Sequence, residues 1–331
     1  MDIPRYALIA ASVLLGLMLL GEWTRFSNAQ QSAALPTVPM VEGEMAAPDT
    51  PENMAVVGNT SQDDMDLPPV EDINLTSTQA PYGTSPAAAA TGRIVTVHTD
   101  VLEIKIDLEG GDVVGAALKN YPKTLDDPTD PFVLLERNAI RTYVAQSGLV
   151  GPDGIDQNQR ARYRASQDVY TLSAGKPLEV VIDYTDAGSA LRVSKHFAFE
   201  PGSHTIGVHY TITNRAAEPA QLTPFVQLKR DSSPAPVASD AGMGMQPFLG
   251  SALTQPDQRF TKFDFEDMAE DPFRADLTGG WIAMLQHYFV SAWVPAVDNT
   301  YRFRTRQTRS GDNIIGYTGP AMVIAPGETA N

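Results

Sequence analysis

Apolar and polar residues alternate along most of the carboxy-terminal two thirds of the chain. In the stretch VLEIKIDL, Leu102, Ile104 and Ile106 alternate with charged residues, as expected for a β-strand with one buried face. The alternation recurs in stretches rich in β-branched and aromatic residues, namely LEVVIDYTD, LRVSKHFAFEPG, HTIGVHYTITN and AQLTPFVQLKRD. No long segment has the helical period of 3.6, and the helix candidates, LDDPTDP and DFEDMAED, are short. The pattern predicts an all-β fold, a large β-sandwich with few short helices.

The most apolar stretch of the second half, TGGWIAMLQHYFVSAWVP, could be a membrane span, a buried helix or a pair of strands. Gln286 and His287 interrupt it and Pro295 ends it, so it is too short and too polar at its centre to cross a membrane. The polar pair separates two pieces of strand length, WIAML and YFVSAWV. We therefore predict a hairpin in the sandwich core, to which Trp281 and Trp293 contribute buried area.

Residues 1–25 contain an uncharged apolar run from Tyr6 to Gly21. With its flanking residues, this run would extend roughly 31 Å as a helix, enough to cross a hydrocarbon core of about 30 Å. A cleaved signal peptide is the alternative, because small residues at 27–29 resemble a cleavage site. The charge of Glu22 and the bulk of Trp23 beside that site favour a retained transmembrane anchor.

Residues 26–92 contain no Lys or Arg and are rich in Pro, Ala, Thr, Ser and Gln. Acidic residues are scattered along the whole segment, at Glu42, Glu44, Asp49, Glu52, Asp63, Asp64, Asp66, Glu71 and Asp72. A segment of low hydrophobicity and one sign of charge cannot bury enough surface to offset the entropy of ordering. We predict a disordered acidic linker that acts as a solvated spacer, with a docking sequence as the alternative.

The composition excludes several classes of function. The 331-residue chain has a formal net charge of -16, which argues against nucleic-acid binding because phosphates require a basic surface. The absence of cysteine removes disulfides, thiolate metal sites and cysteine nucleophiles together. Residues 93–331 are long enough to form a folded domain with a full core, and we take them as the third segment of the chain.

Catalytic and metal-binding motifs are not recognisable in this domain. None of the histidines forms HExxH or another compact metal spacing, and the alternation places His196 and His209 within strands, as solvated or hydrogen-bonded side chains. Two acidic clusters are interpreted as solvated turns or helix caps: Asp126, Asp127 and Asp130, and Glu266, Asp267, Glu270 and Asp271. LEGGDVVG lacks the spacing of a nucleotide-binding loop and predicts a bulge or tight turn. The sequence therefore predicts no catalytic residue, no bound cofactor and no metal.

Several long strings along the chain are distinctive: in order, they are Met1-Asp2 with Arg5 ahead of the span, TDVLEIKIDLEGGDVVGAALKNYPK, YVAQSGLVGPDG, TPFVQLKRD and GGWIAMLQHYFVSAWVP. Together they resemble the amino-terminal part of the YidC family of bacterial membrane protein insertases. The resemblance covers the predicted anchor and nearly all of residues 93–331. It implies a protein of the bacterial inner membrane that has one span within this chain, with the amino end in the cytoplasm and a mutarotase-like β-supersandwich in the periplasm.

The resemblance also implies a function. It implies a domain that aids the insertion and folding of inner-membrane proteins and that contacts nascent membrane proteins and the Sec translocon with its accessory subunits. We expect the spans that perform insertion in this family to lie outside these 331 residues. A mutarotase-like carbohydrate-active domain and a purely structural spacer are the alternatives.

A loop at residues 241–250 is the candidate partner contact. Its sequence, AGMGMQPFLG, sets Met243, Met245 and Phe248 among glycine and proline, and methionine-rich loops can adapt to varied partners. Packing of the same residues in the core is the alternative.

Overall fold

The structure is a computed structural model that describes residues 67–68, 94–124, 126–157, 159–186, 188–234 and 248–331. These residues fold almost entirely into β-strands, so the predicted all-β class is confirmed. The predicted anchor and nearly all of the predicted linker lie outside the described residues. Within the described ranges, no helix combines the length and the apolar character needed to cross a bilayer.

The largest sheet forms the base of the domain. Its strands, numbered in chain order and given in spatial order, are β14 (Arg274–Thr278), β17 (Thr300–Gln307), β18 (Asn313–Thr318), β11 (Ala220–Arg230), β5 (Thr142–Val150), β4 (Pro131–Arg137), β3 (Asp112–Pro122), β2 (Leu102–Asp107), β1 (Ile94–His98) and β7 (Val169–Thr171), with β19 (Met322–Ile324) beside the start of β11. Neighbouring strands are antiparallel except β1 and β7, which are parallel.

Two smaller antiparallel sheets complete the described domain. The second sheet has the order β20 (Thr329–Ala330), β10 (Ile206–Asn214), β9 (Leu191–Phe199), β8 (Leu178–Tyr184) and β6 (Tyr163–Ala165). The third sheet has the order β13 (Thr261–Phe263), β12 (Gly250–Leu253), β15 (Ile282–Gln286) and β16 (Phe289–Trp293). In the third sheet, β15 and β16 form the hairpin that the sequence predicts.

The core follows from the alternation read in the sequence. On β2, Leu102, Ile104 and Ile106 are buried, whereas Lys105 between them is exposed. They belong to one continuous apolar cluster that includes Phe197 of the second sheet and residues of the third sheet. This shared core makes the domain a sandwich, in which apolar faces of three sheets are buried together.

One of the two helix candidates is a helix. Helix α1 (Phe265–Glu270) begins after Asp264, whose carboxylate accepts the amide of Asp267 in a reciprocal capping box. The expectation of a helix near LDDPTDP is wrong, because the described residues there form turns. The carboxylate of Asp127 instead accepts bonds from the amide and hydroxyl of Thr129, and these bonds hold the pKa of Asp127 below its usual value.

Candidate functional site

An open apolar groove with a volume of about 1130 Å³ lies on the described domain. It is lined by apolar side chains of β2, β3, β4, β5 and β11, most of which are buried, and by β10 and β16 with the segment that follows β16. Polar groups are few along it. The groove has the character of a site that accepts an apolar chain or ligand.

Two strand edges border this groove. Strand β10 pairs with β9 along its whole length, but on its other side it pairs with β20 only at Ile212 and Thr213. Strand β16 pairs with β15 alone among the described strands. Both segments line the groove, so two rows of backbone groups without a strand partner in the described chain adjoin it. Such edges can pair with an added extended segment.

The rim of the groove exposes large apolar side chains. Tyr288 is 76% exposed and Val294 is 70% exposed, and Val290 on β16 and Tyr121 on β3 are also exposed. Single exposed apolar residues are common on soluble proteins, but these four all line one groove. A contiguous apolar patch of this kind is typical of a surface that another molecule covers.

Aromatic packing fixes the β16 wall in place. The ring of Phe289 stacks on Phe132 with centroids 4.2 Å apart, and Tyr121 packs edge-on against Phe289 at 5.5 Å. Trp293 is half-buried, and its indole nitrogen donates a hydrogen bond of 3.2 Å to the carbonyl of Gln227 on β11. Trp293 therefore packs beside the groove, in line with its predicted contribution to buried area. Trp281 is also half-buried, and its ring packs against Phe260.

The residues predicted to contact a partner are placed only in part. Met243 and Met245 lie outside the described residues. Phe248 is half-buried, and the ammonium of Lys262 lies 4.8 Å from the centre of its ring. Phe248 does not line the groove. A partner contact at these three positions stays a prediction.

A group of buried charges lies between the large sheet and the second sheet. Lys195 of β9 is fully buried, and its ammonium donates to the carbonyls of Gly110, Gly111 and Ser147 at 2.7 to 3.2 Å. Burial lowers the pKa of Lys195 to about 7. Gly110 and Gly111 form the predicted turn between β2 and β3 with positive φ, and a Cβ at position 111 would lie 3.0 Å from the Lys195 side chain.

Arg160 joins two buried carboxylates beside this lysine. Its guanidinium lies 2.5 Å from Asp112 and 2.9 Å from Asp156. Burial opposes the charge of Arg160, but the two carboxylates outweigh burial and raise its pKa above the usual range. Asp156 also accepts the amides of Leu149 and Ala161. We name Asp112, Asp156, Arg160 and Lys195 the buried ion cluster.

The buried ion cluster lies at the junction of the large sheet and the second sheet. Its lysine is enclosed and hydrogen-bonded, and Tyr210, which lines the groove, places its ring 5.5 Å from the lysine ammonium. Sequence reasoning did not assign a role to these residues. The available signal was the alternation in LRVSKHFAF, where Lys195 falls on the same face as Val193 and Phe197.

Comparison with known proteins identifies the relatives of this chain. The family model of the YidC periplasmic domain matches residues 94–331. A protein of Marinomonas sp. named membrane protein insertase YidC is 37% identical over 99% of this chain, and one of Pseudomonas aeruginosa with the same name is 32% identical over 99%. The chain covers 57% of the length of the first and 58% of the second.

Two solved structures match this chain at low TM-score and low sequence identity. A galactose mutarotase related enzyme from Lactobacillus acidophilus matches with a TM-score of 0.40 and 7% identity, covering 72% of this chain and 94% of that one. A putative aldose 1-epimerase from Escherichia coli matches with a TM-score of 0.36 and 12% identity, covering 72% and 95%. Likenesses at this level do not transfer an activity.

Proposed function

The chain belongs to the YidC family of membrane protein insertases, and from this premise we propose that it is the anchored periplasmic module of such an insertase. Residues 1–25 would hold it in the bacterial inner membrane with the amino end in the cytoplasm. Residues 26–92 would act as the tether, and residues 93–331 would form the working domain. The spans that perform insertion would lie in the part of the relatives that this chain does not cover.

The groove between the strand edges supports a holding role for this domain. An extended apolar segment placed in the groove could pair its backbone with β10 or β16 and pack its side chains against the apolar lining. Backbone pairing recognises any extended sequence, because hydrogen bonds to the main chain do not depend on side chains. The domain would thus hold diverse clients without catalysing a reaction on them.

The proposed occupant is the extended part of a nascent membrane protein that emerges on the periplasmic side. Such a segment is rich in apolar residues and has not yet paired its backbone groups, so the groove fits both its properties. Contact with accessory subunits of the Sec translocon would place the domain near the exit of the translocon. The predicted tether would let the domain search the space above the membrane.

Site-specific photo-crosslinking in the complete insertase tests this proposal in cells. A photoreactive residue at Val290, on the groove rim, would be compared with one at Val169 on edge strand β7, which does not line the groove. The two valines are matched, because each is 52% exposed. Adducts with nascent membrane proteins or Sec subunits from position 290, and few from position 169, are the expected result.

Other adducts would overturn the proposal. Equal yields at positions 290 and 169 would mean that the groove has no special part in client contact. Adducts with lipid or with the insertase itself at both positions would identify the domain as an anchored spacer. A parallel scan of residues 241–250 would test the separate prediction of a partner contact at Met243, Met245 and Phe248.

A further inference from the structure

Two histidines and one glutamate meet on the outer face of the second sheet. His196 of β9 and His209 of β10 are directly paired across the strands, and their rings stack with centroids 4.5 Å apart. Glu179 of β8 reaches both: its Oε1 lies 3.1 Å from His196 Nδ1 and 3.7 Å from His209 Nε2. Within the described ranges, this is the one group in which three potential metal ligands lie within 4.8 Å of each other.

The register of the sheet explains why these side chains converge. Alternate residues of β8, β9 and β10 point outward, and Glu179, His196 and His209 all belong to the outward sets. Ala198 lies opposite Glu179 on β9, and Gly207 lies opposite Ala198 on β10. Because these neighbours are small, the glutamate side chain can extend across the sheet surface toward the histidines of the next row.

The distances suit a metal ion with nitrogen and oxygen ligands. Zinc binds imidazole nitrogen and carboxylate oxygen at about 2.0 to 2.2 Å, so two ligand atoms at a tetrahedral ion are roughly 3.3 Å apart. The two glutamate–histidine separations of 3.1 and 3.7 Å lie on either side of this value, and the three ligand atoms all lie within 4.8 Å of one another. His196 Nε2 is buried without a hydrogen-bond partner, which leaves Nδ1, facing Glu179, as the nitrogen available for coordination.

We propose that Glu179, His196 and His209 form a binding site for a divalent transition-metal ion of the zinc class. Two imidazoles and one carboxylate, without a thiolate, favour zinc and its neighbours over calcium or magnesium, which prefer oxygen ligands alone. Three protein ligands leave at least one coordination position for water. His209 also lines the groove, but metal binding itself requires no occupant there.

Zinc titration of the purified 331-residue chain in detergent tests the site. The probe is Zn²⁺ in competition with a chromophoric chelator, compared with Mg²⁺ and Ca²⁺ under the same conditions. We expect one saturable zinc site. His209→Gln and Glu179→Gln should each lower the zinc affinity by roughly 10- to 100-fold or more, because loss of a residue that only supports a metal ligand already has an effect of that size. Zinc should also raise the Tm of the unsubstituted chain more than that of either variant.

His98→Gln provides the matched control. His98 also lies beside a glutamate, with its Nδ1 3.6 Å from Glu103, but the described structure places no second histidine in that pair. Its replacement should leave zinc affinity unchanged. The side chains of His209 and Glu179 are 49% and 54% exposed, so their replacement should not impair folding, and circular dichroism of the metal-free variants would verify this.

Three results would overturn the proposal. The first is an absence of saturable zinc binding by the unsubstituted chain. The second is zinc binding that persists unchanged in His209→Gln and Glu179→Gln, which would assign the ion to acidic residues elsewhere, such as those of residues 26–92. The third is equal competition by calcium, which would indicate a site made of oxygen ligands.

Discussion

The buried ion cluster and the apolar groove reverse the usual distribution of charge and hydrocarbon in a folded domain. The cluster encloses Lys195, Asp112 and Asp156 between two sheets, whereas the groove leaves Tyr288 and Val294 more than two thirds exposed. The two regions differ in whether the rest of the described chain supplies their interaction partners. The buried charges are paired with each other and hydrogen-bonded to backbone carbonyls, so each charge has a partner within the described chain.

The groove is complete only with something from outside the described chain. An added partner would cover the apolar rim and would pair with the two strand edges. The rest of the described domain does neither. The comparison separates residues that maintain the fold from residues that are available for function. Replacing the first kind should change stability, and replacing the second kind should change binding.

Removing one buried carboxylate should have the largest effect. Asp156→Ala would leave Arg160 with one carboxylate partner and two buried amides without an acceptor, and should lower the free energy of unfolding by about 3 to 5 kcal/mol. Urea denaturation would measure it. Asp276→Ala is the control, since Asp276 pairs with Arg302 at the surface and its loss should cost at most about 1 kcal/mol. Equal losses would remove the distinction between buried and exposed charge.

The lysine of the cluster should make stability depend on pH. Because burial lowers the pKa of Lys195 to about 7, the unfolded chain binds a proton between pH 7 and about 10 that the folded chain does not. The free energy of unfolding should therefore rise from pH 7 to pH 9.5, by on the order of 3 kcal/mol. Lys195→Met should abolish this rise. A rise of the same size in the variant would assign it to another group.

A charge on the groove rim should weaken binding with little change in stability. In Val290→Asp, the affinity for a fluorescent, extended peptide rich in Leu and Val should fall about tenfold, or about 1.4 kcal/mol, by anisotropy. Val169→Asp introduces the same charge at a side chain of the same exposure outside the groove. That control should bind the peptide normally. If both variants lose affinity equally, the effect is one of net charge.

The smallest change in stability is expected when an exposed apolar side chain of the groove rim is replaced. Val294 is 70% exposed, so Val294→Ser should change the free energy of unfolding by no more than about 0.5 kcal/mol. The same substitution at Val97, which is fully buried, should be clearly destabilising. Thermal melts of the two variants would measure the contrast. A large loss at Val294 would mean that the rim supports the fold and is not reserved for a partner.

The strands of this domain could be predicted because a half-buried strand places an apolar residue at every second position, and this alternation is visible in the sequence. Leu102, Ile104 and Ile106 are buried as their alternation requires, and the hairpin follows from the polar break at Gln286 and His287. The hydrogen-bonding order of the strands could not be predicted, because it depends on pairs far apart in the chain. The groove is a product of that order, since β10 and β16 border it from different sheets.

The histidine pair illustrates the same limit at the level of a site. His196 and His209 were correctly placed within strands, but their spacing in the sequence matches no metal motif. They meet because β9 and β10 pair in one particular register, and Glu179 joins them from a third strand. A pattern search along the chain cannot detect ligands that converge across a sheet.

The three carbonyls around Lys195 also affect how the domain folds. The lysine connects the β2–β3 turn, strand β5 and strand β9, across sequence separations of 84 and 48 residues for Gly111 and Ser147. Neither sheet can separate from the other without exposing this group of contacts to water at once. The two layers should therefore open as one cooperative unit, and amide protons on β5 and β9 should exchange with solvent together, at the rate of global unfolding. Contacts of such long range also form slowly, so the docking of the layers should limit the folding rate.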